Sequence, residues 1–220
     1  ESGGYCSYAH TLAMAKRIRA HGMSFMLDFH YSDFWADPGQ QRKPKDWENL
    51  SFKELKEAVF SYTRDTLTAL KEEDVLPDIV QIGNEIRSGL LFPDGELPDY
   101  TKMVQLVNAG IRGARAAAGK DEMQVMIHLD QGGRYFYLKE WFDCSFEAGL
   151  EDFDLIGTEY HRWVRTNHEL VGLNVSEDFN RWVRQDLRFF ARVYLELLEA
   201  CEGLKPGLES IRFNADHGFT

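Results

Sequence analysis

Short apolar runs that end on charged or amide residues alternate with longer, helix-patterned segments along this chain. Residues 8–21 carry Leu12, Met14, Ala15 and Ile18 at helical spacing and stop at His21-Gly22, a glycine stop suited to a helix C-terminus. Met23–Phe29 follows as a strand, then a loop over Ser32–Glu48 that holds Pro38, Gly39 and Pro44. Ser51, with Glu54 three positions on, is a capping-box signature and predicts a helix over residues 51–73. Asp78–Gly83 and Gln124–Leu129 read as strands, separated by a Gly/Pro-rich loop over 88–98 and a helix over 100–118. A helix over about 134–149, a strand over 153–160, a helical stretch within 177–202 and a short apolar run Leu208–Phe213 complete the order.

Strand, loop, helix, strand, with crossovers long enough for parallel pairing, is an α/β pattern. A doubly wound sheet fits the alternation, but its nucleotide-binding form requires a Gly-rich turn after the first strand, and no GxGxxG is present. A barrel is favoured by where the unusual residues sit. Asp28-Phe-His30, Asn84-Glu85, His128-Leu-Asp130 and Tyr160-His-Arg-Trp163 all lie at or just past strand ends, the ends that converge on one mouth in a (β/α)8 TIM barrel. Such a barrel needs about 250 residues and eight strands, and this chain has 220 residues. The pattern is that of an incomplete barrel, about strands three to seven, in a single partial domain over residues 1–220.

Charge narrows the partners. With 25 Lys and Arg against 36 Asp and Glu, the formal charge is −11, a field that repels phosphate and argues against nucleic acid. Any substrate is then expected to be neutral. The apolar runs are too short for a bilayer, which takes about 20 residues, so no membrane span is expected. The opening Glu1-Ser-Gly-Gly is unlike a basic-then-apolar leader. Cys6, Cys144 and Cys201 form no CxxC pair and read as buried structural thiols. No HExxH or related spacing is present, so neither a metal nor another cofactor is expected.

Glu85 closes the apolar run Asp78-Ile-Val-Gln-Ile-Gly-Asn-Glu. A carboxylate in a cleft at a strand end loses solvation, which raises its pKa and suits it to protonate a leaving group; the competing reading is a surface loop pair. Asn84 brings an amide suited to a sugar hydroxyl. Trp35, in a loop dense in aromatics and carboxylates, is either a platform for a sugar ring or a loop anchor. His30 taken alone is better explained structurally. His128 and Asp130, then Tyr160 and Trp163, are further strand-end groups, the last two a phenol to orient a carboxylate and an indole to stack. Asn49-Leu-Ser51 and Asn174-Val-Ser176 match the N-glycosylation pattern.

Four segments together resemble glycoside hydrolase family 53, the endo-β-1,4-galactanases that act on type I arabinogalactan. They are Asp28-Phe-His-Tyr-Ser-Asp-Phe-Trp-Ala-Asp-Pro-Gly-Gln-Gln41, Ile79-Val-Gln-Ile-Gly-Asn-Glu-Ile86, His128-Leu-Asp-Gln-Gly-Gly133, and Asp152-Phe-Asp-Leu-Ile-Gly157 with Tyr160. The resemblance covers roughly residues 1–168, the third to sixth strands of the family barrel. It implies a (β/α)8 fold and a retaining hydrolase of neutral plant β-1,4-galactan working outside the cell, with no cofactor. It also implies that Glu85 is the general acid/base, supported by Asn84, while His30, Trp35, Asp130, Tyr160 and Trp163 line the cleft.

The tail over 169–220 departs from the family. The family nucleophile is a Glu at the end of the seventh strand, and the closing Arg212-Phe-Asn-Ala-Asp-His-Gly-Phe-Thr220 puts Asn214 there. Glu209 and Asp216 are nearby carboxylates that do not fit the pattern. Two alternatives therefore stand beside the galactanase: a galactan-binding barrel fragment without a nucleophile, and a related barrel glycosidase acting on mannan, xylan or cellulose.

Overall fold

A computed structural model describes residues 6–130 and 135–158. The chain divides into two compact units, residues 1–130 with 140–158, and residues 131–139 with 159–220. Of the second unit the described residues are 135–139, the start of a helix. The expected helix within 177–202, the run Leu208–Phe213 and the divergent tail lie outside the described residues, as do Tyr160, Trp163, Cys201, Glu209, Asn214 and Asp216.

In the first unit, helix α1 (Tyr8–Ala20) leads to strand β1 (Met26–Phe29), and helix α2 (Phe52–Glu72) leads to β2 (Ile79–Ile82). A hairpin of β3 (Gly89–Leu90) and β4 (Gly95–Glu96) precedes α3 (Tyr100–Ala117) and β5 (Gln124–Leu129), and α4 (Tyr135–Glu147), of which residues 140–147 belong to this unit, is followed by β6 (Leu155–Thr158). The main sheet runs β1-β2-β5-β6, every neighbour parallel. Four parallel strands with helical crossovers are the expected partial α/β barrel.

Alternation along the strands separates two faces. Val80, Ile82, Val125, Ile127 and Leu129 are fully buried. Between them fall Gln81, Met126 and His128 on the opposite face, where Asp28, Gln81, Met126 and Leu155 stand in register. The buried face meets an apolar core continued by the α2 residues Leu55, Val59, Leu67 and Leu70 and the α3 residues Met103, Leu106, Val107 and Ile111. α2 begins as expected. The Ser51 hydroxyl accepts from the Glu54 N–H, and the Glu54 carboxylate accepts from the Ser51 N–H, which satisfies two otherwise unpaired donors of the first turn.

Three expectations shift. The strand expected from Met23 starts at Met26, because the Met23 N–H donates to Ile18 O and its carbonyl accepts from Arg19, leaving that turn tied to the end of α1. The strand expected over 153–160 begins at Leu155, since Asp154 sits before β6 with its carboxylate accepting from Arg115 and from the Val125 N–H, and its last two expected residues lie outside the described residues. The loop over 88–98 contains the β3–β4 hairpin. Its strands approach so closely that a Cβ on Gly89 would lie 2.1 Å from the Gly95 carbonyl oxygen. The cysteines also differ from expectation: Cys6, just ahead of the α1 N-cap, is exposed, and Cys144 is partly buried. Burial pushes the Cys144 thiol up, helped by the nearby carboxylates of Glu147, Glu140 and Asp143.

Candidate active site

The tip of β2 is where the sequence pattern concentrates chemistry. Gly83 donates its N–H to Phe29 O at 3.0 Å and turns the chain at φ +77°, where a Cβ would come within 2.6 Å of the Ile86 side chain. Two residues on, Glu85 is left-handed at φ 49° and ψ 47° and only 7 % exposed. A non-glycine residue held there costs about 1–3 kcal/mol and persists only where its surroundings fix it.

Those surroundings are visible. The carbonyl oxygen of the Asn84–Glu85 peptide accepts from Gln41 Nε2 at 2.8 Å, and the N–H of the same peptide lies 3.3 Å from His128 Nδ1. The Asn84 side chain donates from Nδ2 to Ala36 O at 2.9 Å and accepts at Oδ1 from Gln81 Nε2 at 3.1 Å. His128 Nδ1 also lies 3.1 Å from Asn84 Oδ1. One ring nitrogen serves only one of these contacts at a time: unprotonated it accepts the Glu85 N–H, protonated it donates to Asn84 Oδ1. The Asn84 amide is thus largely committed to the scaffold.

The segment after β1 packs against this tip. His30 Nδ1 accepts the Ala36 N–H at 3.2 Å, so the ring proton sits on Nε2, which donates to Asp28 Oδ2 at 2.9 Å. Both ring nitrogens are occupied, and the ring meets Trp35 edge-on at 5.8 Å between centroids. Trp35 itself is 69 % exposed, which leaves most of its indole open to solvent. The anchor of this loop is instead Tyr31, buried in stacked and edge contacts with Phe29, Trp47 and Tyr62. On the far side of the tip, Arg87 Nε donates to Asp130 Oδ1 at 2.8 Å, and the Asp130 side chain is fully buried with its second oxygen unpartnered.

Glu85, Asn84, His30, Trp35 and Asp130 therefore all fall at or just past the C-terminal ends of β1, β2 and β5. Bonds through Ala36, Gln41, His128 and Arg87 join these three strand tips into one cluster. Gln41, Gln81 and Arg87 also belong to it; Gln41 and Gln81 lie inside two of the four segments that carry the family resemblance, which assigned them no part, and Arg87 lies just past the second. The signal for Gln81 is its polar side chain inside Ile79-Val-Gln-Ile82, on the face away from the helices. Gln41 and Arg87 are legible only in their contacts. Among the described residues no group of three His, Cys, Asp or Glu side chains is placed to hold a metal ion, and no helix is long and apolar enough to cross a membrane.

A solved catalytic domain from Ignisphaera aggregans, described as GH53, superposes with a TM-score of 0.67 at 38 % identity, over 72 % of this chain and 43 % of that one. One of two fungal beta-1,4-galactanases superposes at 0.68 with 34 % identity, over 72 % and 48 %. A probable arabinogalactan endo-beta-1,4-galactanase A of Aspergillus terreus is 36 % identical over 179 residues, 80 % of this chain and 51 % of the relative. The chain thus spans about half the length of the curated relatives it matches. The model of "Glycosyl hydrolase family 53" matches residues 1–185, further than the four motif segments reach, and on that match the chain belongs to glycosyl hydrolase family 53.

Proposed function

We propose that this chain is a retaining endo-β-1,4-galactanase, with Glu85 as the general acid/base. The observation that carries the reading is the buried, left-handed Glu85 at the β2 tip, its peptide gripped from both neighbouring strand ends. The galactanase names of the fungal relatives support the substrate class. In the first step Glu85 gives its proton to the glycosidic oxygen as the C–O bond breaks, while a second carboxylate bonds to the anomeric carbon from the opposite face. In the second step Glu85 takes a proton from water, whose oxygen displaces that carboxylate. A retaining pair stands about 5–5.5 Å apart.

Trp35 would stack on a galactose ring. The remaining Asn84 amide hydrogen would take a sugar hydroxyl, and Asp130, buried against Arg87, would hold that side chain at the cleft. His30, with both nitrogens engaged, would orient Asp28 and Trp35 at the cleft. A neutral polymer suits a protein of charge −11, and its size puts the reaction outside the cell. Asn214 at the expected nucleophile position favours a second reading, a galactan-binding protein that does not cleave. Incubating the chain with β-1,4-galactan decides between them. Release of reducing galacto-oligosaccharides is the expected result; retention on galactan with no release supports the second reading.

A further inference from the structure

We propose that Gln41 is a positioning residue that sets the direction of Glu85, an inference that rests on Glu85 being the acid/base. Gln41 is 1 % exposed. Its Nε2 donates to Asn84 O at 2.8 Å and to Asp37 O at 3.1 Å. Both partners are carbonyl oxygens, so the amide nitrogen must face them. The other amide atom, Oε1, is buried without a partner, so the polar role of this side chain lies in its two donors. Gln41 is itself pinned, because its backbone carbonyl accepts the Phe92 N–H at 2.7 Å.

The Asn84 carbonyl belongs to the peptide whose N–H lies against His128 Nδ1. With both polar atoms of one peptide held by side chains, its plane is fixed, and with it the backbone angles that aim the Glu85 Cβ. Release of the carbonyl end would let that plane rotate out of the costly left-handed geometry. The contact is reciprocal: Asn84 Nδ2 donates back to Ala36 O, next to Trp35. Gln41 thereby ties the segment bearing the exposed indole to the residue bearing the acid. Sites of this kind need support from residues that never touch substrate, since a misplacement of about 1 Å can cost 10²-fold in rate.

The test uses the full chain with Gln41→Met, close in volume but without donors, and Gln41→Ala, which admits water to both carbonyls. Two quantities are read: kcat and KM on β-1,4-galactan, and the titration of the Glu85 carboxyl by carbon-13 NMR, identified by difference from Glu85→Gln. The expected result is a kcat loss on the order of 10–100-fold with KM little changed, and a displaced Glu85 titration, in a variant that still unfolds cooperatively. A wild-type kcat and an undisplaced titration in both variants overturn the proposal, even if thermal stability falls, because Gln41 is then merely structural. If the unsubstituted chain releases no sugar from galactan, the galactanase reading fails by itself. The Glu85 titration alone then decides the role of Gln41.

Discussion

Arg87 Nε donates to Asp130 Oδ1 at 2.8 Å, joining the segment after β2 to the end of β5 two residues beyond the contact between Glu85 and His128. The two contacts run between the same segments, one a backbone N–H at a ring nitrogen and the other an ion pair. Asp130 is wholly buried, whereas the Arg87 side chain is 27 % exposed. Removing Arg87 leaves a buried carboxylate without its counter-charge, the costly way to break such a pair. Arg87→Met is therefore expected to destabilise the protein by about 2–4 kcal/mol in urea unfolding, the lower end reflecting partial exposure of the arginine. Adding Asp130→Leu should recover most of that loss. A double variant no more stable than Arg87→Met would show that the loss does not come from the uncompensated Asp130 carboxylate.

Glu85→Gln keeps the size of the side chain and the backbone N–H that faces His128, and removes the titrating proton. General acid–base groups contribute about 10²–10⁴-fold. Hydrolysis of β-1,4-galactan should fall by at least that factor, with galactan affinity and melting temperature close to those of the unsubstituted chain. Unchanged turnover would remove Glu85 from the chemistry.

The sheet was legible because each strand is an apolar run bounded by turn residues, and α2 because Ser51 and Glu54 write its cap into four residues. The β3–β4 hairpin was not. Its strands are two residues each, too short for any alternation to register, and it depends on a close approach at Gly89 that only coordinates reveal. The site shows the same division. Glu85, Asn84, Trp35 and Asp130 stand out by residue type at a strand end. Gln41 does not, since it closes a recognisable segment without a residue type that signals its part, which depends on a carbonyl 43 positions away in sequence. Likewise, the commitment of both His30 nitrogens follows from Asp28 and the Ala36 N–H, a contact that folds the loop back on itself.

Trp35 offers the largest exposed aromatic surface of the segment after β1, and the His30 ring meets it edge-on. If that indole meets a sugar ring, Trp35→Ala should weaken galacto-oligosaccharide binding by about 1–2 kcal/mol, read by calorimetry. Thermal stability should change little, since Tyr31 supplies the loop's buried aromatic anchor. Equal affinity in both proteins, or a large drop in melting temperature, would make Trp35 a structural residue.

Tyr31 links the loop to α2 through its phenol, which lies 2.7 Å from Thr63 Oγ1. The Thr63 hydroxyl donates to Val59 O at 2.7 Å, so its proton is committed and Tyr31 is the donor. Burial pushes the Tyr31 phenol well above its ordinary range. The folded chain thus holds this proton to higher pH than the unfolded chain, whose tyrosines ionise near pH 10. The contribution is fully present below about pH 10 and is lost as pH rises toward the folded value, because the unfolded state binds fewer protons there. Tyr31→Phe keeps the stack on Phe29, whose ring lies 5.6 Å away, and removes one hydrogen bond, which should cost about 1 kcal/mol at pH 7. Above about pH 10 the variant lacks the ionising group, so the wild-type advantage should shrink and then reverse. Urea midpoints from pH 7 to 11 check this; a constant gap across that range would mean that the phenol proton is not held by the fold.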